Sequence, residues 1–88
     1  MVRRRVLISG RVQGVFFRDT CRREATQLGV AGGARNLTDG RVEATFEGEQ
    51  DAVERLLEWC AHGPPRATVT EVEIFDEPPC GEKGFVIA

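Results

Sequence analysis

The chain switches between short stretches of alternating apolar and polar residues and longer ones whose apolar positions recur every three or four residues. Val6, Leu7 and Ile8 form a β-branched and apolar run ending at Gly10, the pattern of a central strand. From Phe17 the period changes: Phe17, Cys21, Ala25 and Leu28 share one helical face, and Gly29 is placed to stop that helix. Residues 31–37 read as a second strand, weakened by Gly32 and Gly33, and Asp39-Gly40 is a hairpin turn signal. Val42, Ala44 and Phe46 then alternate with Glu43, Thr45 and Glu47, which predicts a strand with one apolar face. Val53, Leu56, Leu57, Cys60 and Ala61 follow helical spacing until Gly63-Pro64-Pro65 ends it. Thr70, Val72 and Ile74 alternate against Glu71, Glu73 and Phe75 as a further strand. Pro78 to Gly84 reads as a loop, and Phe85 to Ile87 as a short last strand.

The order β-α-β-β-α-β with a short terminal strand predicts an α+β fold. Two helices would pack on one face of a mostly antiparallel sheet, a ferredoxin-like sandwich. At 88 residues the chain supports one core, so a single domain over residues 1–88 is expected. That architecture hosts unrelated functions, and the sites must decide.

Composition narrows the choice. A formal net charge of −2 argues against nucleic acid as the main partner. Arg3, Arg4 and Arg5 in a row read as a solvated strand start. No apolar run approaches the roughly 20 residues needed to span a bilayer. The arginine-bearing N-terminus lacks the apolar stretch and small-residue cleavage site of an export signal, so a cytoplasmic location is expected. The three cysteines are odd in number and widely spread, which suits neither a disulfide framework nor a metal site. Cys21 and Cys60 fall on apolar helical faces and are expected in the core, whereas Cys80 is expected to be exposed. His62 stands alone, so no metal cluster and no cofactor is expected.

Three stretches carry candidate chemistry. The first is GRVQGVFFR, Gly10 to Arg18, between a strand and a helix. Its glycines permit tight backbone turns, and the amides at the following helix start suit an anion. Arg18 adds a planar, permanently charged fork that matches phosphate or carboxylate oxygens. The stretch is neither a Walker loop nor a dinucleotide fingerprint, because the required spacings are absent. The second is CAHGPPR, Cys60 to Arg66, with the Cys-x5-Arg spacing of cysteine-nucleophile phosphatases. Here the cysteine sits near a helix C-terminus, where the dipole raises a thiol pKa, and two prolines remove N–H donors, so the match reads as chance. The third is Asn36, just before the hairpin. A carboxamide there could position a water molecule or simply bond its own turn.

Together these stretches resemble the acylphosphatase family. Ile8, Gly10, Val12, Gln13, Gly14, Val15, Phe17 and Arg18 fill that family's first signature, and Gly32, Asn36, Gly40, Val42 and Gly48 match the second at its spacing. One departure stands out: Gly33 occupies a position where the family usually has an aromatic residue, which bears on packing beside Asn36. The resemblance implies metal-independent hydrolysis of acyl phosphates to a carboxylate and inorganic phosphate, with no covalent intermediate. It implies a phosphate-binding loop of Gln13, Gly14, Val15, Phe16, Phe17 and Arg18. Arg18 and Asn36 would be the catalytic residues, the second holding the attacking water. The expected partners are a small acyl phosphate and inorganic phosphate as product and competitive inhibitor, acting on a monomer. Neither nucleic acid nor membrane is expected. Two other readings use the same sheet. One is a non-catalytic module binding phosphate or carboxylate, which would have no use for Asn36. The other is an RNA-binding domain, which would need exposed aromatics where the third strand offers Glu43, Thr45 and Glu47.

Overall fold

A computed structural model describes residues 1–88. It comprises β1 (Val2–Arg11), α1 (Phe17–Leu28), β2 (Ala31–Asn36), β3 (Val42–Gly48), α2 (Gln50–Cys60), β4 (Thr68–Glu77) and β5 (Phe85–Ile87). The strands form one sheet in the order β4-β1-β3-β2-β5. Every neighbouring pair is antiparallel except β2 and β5, which run parallel. The expected order of elements and the ferredoxin-like α+β fold are therefore both present.

Register explains the core. Val6 pairs with Ala44 and Ile8 with Val42, so the period of two places these side chains on one face, with Phe46 beside them. Both helices cover that face, α1 with Phe17, Cys21 and Ala25, and α2 with Val53, Leu56 and Cys60. All of these residues are buried, and Phe17 packs on Trp59 with ring centroids 5.1 Å apart. Each large apolar side chain removed from water stabilises the fold by about 1.5–3 kcal/mol. Cys21 and Cys60 are buried and Cys80 is exposed, as expected. A hydrogen bond between the two buried thiols, together with burial, raises the Cys60 pKa well above its ordinary value. A protonated thiol inside the core is no nucleophile, so the Cys60-to-Arg66 spacing carries no chemistry.

Some expectations change. Ala61 caps α2 rather than joining its apolar stripe, and it is exposed. Ile74 faces the helical side opposite Val6 but remains 49% exposed. The reason is position: β4 is an edge strand, and α2 lies over β1 and β3 instead. The arginine run is not simply solvated. Arg3 is only 12% exposed and pairs with Glu47 at 3.2 Å, Glu77 at 3.1 Å and Glu82 at 3.4 Å. Arg5 joins Glu43 and Glu77, and Arg35 also reaches Glu43, so an ionic ladder spans the sheet face turned away from the helices.

Glu47 anchors that ladder. Cys80, Gly81 and Glu82 donate backbone N–H bonds to its carboxylate at 2.9, 2.8 and 3.1 Å. The loop before β5 thus folds over an acid on β3. The Cys80 N–H is the largest influence on this carboxyl, burial opposes it, and the Gly81 N–H, Arg3 and the Glu82 N–H assist. Its pKa falls to about 2. Gly33 also has a visible consequence: a Cβ there would lie 2.7 Å from the Val86 carbonyl oxygen. The parallel strand β5 therefore packs against bare backbone where the family usually has an aromatic side chain.

Candidate functional site

The β1–α1 loop is fastened from below by its own apolar residues. Val12 and Val15 are 1% and 2% exposed and sit in the core, which leaves the intervening backbone to face outward. Gly14 has φ 72°, and no atom lies within 4 Å of where its Cβ would stand. The glycine is required by its left-handed dihedral, which a β-carbon would make less favourable by about 1–2 kcal/mol. Phe16 adopts a similar angle, φ 64° and ψ 25°, with its ring 70% exposed. A bulky residue held there is a local strain that surrounding structure must enforce.

Gly14 and Phe16, left-handed on either side of Val15 at the helix start, turn the chain so that N–H groups gather on one side. The N–H groups of Gly14 through Asp19 find no backbone acceptor, and no side chain caps α1. Thr20 is the next to bond, to the Phe16 carbonyl at 3.0 Å. The positive end of the helix dipole adds to the same spot. Such a set of free backbone amides is suited to an anion.

Above it opens a cleft of about 300 Å³, whose lining includes Gly14, Phe16, Arg18, Asp19, Asn36 and Ile87. Arg18 lies in the first turn of α1, and its Nη1 donates to the main-chain oxygen of Ala88 at 2.6 Å. One edge of the guanidinium is thereby tied to the residue that follows β5, and the remaining N–H groups are available to an anion. Asp19 is the only carboxylate in the lining. It is engaged by Arg22 at 2.8 Å and Arg23 at 3.5 Å, so its charge is balanced locally.

Asn36 ends β2 and is exposed, and its carboxamide forms no bond within the protein. Its placement depends on Gln13. The Gln13 amide nitrogen donates to the Leu37 carbonyl at 2.8 Å and to the Arg41 carbonyl at 3.0 Å. It clamps the β2–β3 hairpin to the loop. Sequence reasoning put Gln13 in the phosphate-binding loop; its side chain in addition ties that loop to the hairpin that follows Asn36. Ile87 and Asp19 were missed as lining residues. Ile87 enters only because β5 runs parallel beside β2, which no local pattern reveals.

The comparisons agree with this geometry. The acylphosphatase family model matches residues 4–87. The acylphosphatase of Rubrobacter xylanophilus is 58% identical over 84 residues, covering 94% of this chain and 76% of that protein. The acylphosphatase of Aeropyrum pernix is 54% identical over 89 residues, covering 99% and 88%. The crystal structure of acylphosphatase from Bacillus subtilis superposes with a TM-score of 0.96 at 35% identity, covering 100% of this chain and 99% of that one. With its fold, its two signatures and its relatives in accord, the chain belongs to the acylphosphatase family.

Proposed function

We propose that this protein hydrolyses acyl phosphates, with phosphate held by the Gly14-to-Arg18 backbone and Arg18, and with water held by Asn36. The observation that carries this reading is the convergence of unpartnered amides, a half-tied arginine and a free carboxamide on one cleft. Phosphoryl transfer depends chiefly on positioning and charge stabilisation, and these groups supply both. The water oxygen forms a bond to phosphorus while the bond from phosphorus to the acyl oxygen breaks. The electron pair leaves with the carboxylate, a stable anion that needs no acid to help it depart. The proton of the water passes to a phosphate oxygen. The engagement of Asp19 supports that route, since the one carboxylate in the cleft lining is already committed to two arginines.

The test is turnover of acetyl phosphate or benzoyl phosphate, with phosphate as a competitive inhibitor. Hydrolysis unaffected by chelators is the expected result. Binding of phosphate without turnover would instead make the site a sensing module.

A further inference from the structure

A second groove of about 480 Å³ adjoins the cleft on the far side of the loop. The two share Phe16 and Asp19, but Asn36 lines only the first, and Arg23, Pro64, Pro65 and Arg66 only the second. The sheet order explains the arrangement. Asn36 ends β2, which lies to one side of β1, while residues 64–66 lead into β4 on the other. The loop that follows β1 therefore has a wall on each side.

From this arrangement, and resting on the acyl phosphate reading above, we infer that the groove receives the acyl part of the substrate, and that Arg23 and Arg66 select acyl phosphates carrying a second anionic group. The attacking and leaving oxygens in phosphoryl transfer stand roughly in line. Water on the Asn36 side sends the departing carboxylate across Phe16 toward Pro64 and Pro65. The prolines and the exposed Phe16 ring offer an apolar bed for a short carbon chain. Arg66 has no ion-pair partner, and Arg23 reaches only Asp19, at 3.5 Å, where Arg22 already lies closer at 2.8 Å. Two guanidinium groups against one shared carboxylate leave the groove with surplus positive charge. A carboxylate or phosphate at the end of the acyl chain would complete it.

Succinyl phosphate and butyryl phosphate test this, because both have four-carbon acyl groups and only the first ends in a carboxylate. The wild-type protein should favour succinyl phosphate in kcat/KM, and added salt should shrink the preference through screening. Arg66→Ala and Arg23→Ala should each lower the succinyl-to-butyryl ratio by roughly threefold, and the double variant by about tenfold, the range of exposed ion pairs. Butyryl phosphate turnover and the unfolding midpoint should stay near wild type. A ratio unchanged in the double variant would overturn the inference, and so would an equal fall for both substrates. Failure of the wild-type protein to hydrolyse either compound would overturn the hydrolase reading itself.

Discussion

Arg18 and a lysine at the same place would carry equal charge, so the comparison isolates geometry. One guanidinium edge is held by the Ala88 oxygen while the others face the cleft, an arrangement that a single ammonium cannot copy. Arg18→Ala and Arg18→Lys should both lose turnover, by about 10³-fold for alanine, the scale of arginine contributions to phosphoryl transfer. Thermal melting should show both variants folded; an active Arg18→Lys would remove the fork from the mechanism. Asn36 has a different expectation because its proposed role is to hold water rather than phosphate. Asn36→Ala should lower kcat by roughly 100-fold, the loss typical of a misplaced reacting group, while phosphate inhibition changes little. Steady-state kinetics with phosphate on one preparation reads both quantities. That Arg18 and Asn36 would share one site was legible through the family signatures, and both line the same cleft, although Asn36 by its spacing alone reads equally as a turn residue. Asp19, Ile87 and the clamping role of Gln13 were not, since each depends on a partner supplied by the fold.

At the scale of elements, a continuous apolar run placed β1, alternation placed β3, and helical spacing placed α1 and most of α2. Arg3 was the failure. It reads as solvated until the loop before β5 is seen to cover Glu47, and a loop rich in proline and glycine has no periodicity that reveals where it lies. That covered acid makes a prediction about pH. The Glu47 carboxyl is depressed to about 2 from an ordinary value of 4.5, so its ionised form is favoured by folding. Its contribution is complete at neutral pH, declines as pH falls below about 4.5 and is gone below about 2. Glu47→Gln turns an NH₂ group toward donors, so it should lower the unfolding midpoint at pH 7. Between pH 5 and 2 the variant should lose less stability than wild type. Denaturant titrations at stepped pH measure the gap between the two curves, which should narrow with acid.

For the whole molecule, a ligand that binds only the folded state raises its stability. Phosphate at about 100 times its Kd should add about 2.7 kcal/mol, which for a domain of this size raises the midpoint by roughly 10–20 °C. Arg18→Ala should abolish most of that rise in a melting scan. The sheet order has another effect, on how the protein comes to be made. Arg3 bonds to Glu47 44 residues away and to Glu77 74 residues away, so β1 precedes both of its neighbours by a long interval. At ribosomal speeds of about 5–20 residues per second, the 74 residues separating Arg3 from Glu77 take roughly 4–15 s to emerge. During that time the central strand has unpaired edges, the condition that invites aggregation. Arg3, Arg4 and Arg5 place three like charges on those edges. Arg3 and Arg5, which later lock the ladder, thus begin with Arg4 as a guard on the nascent chain, disfavouring pairing of β1 with strangers until β3 and β4 arrive.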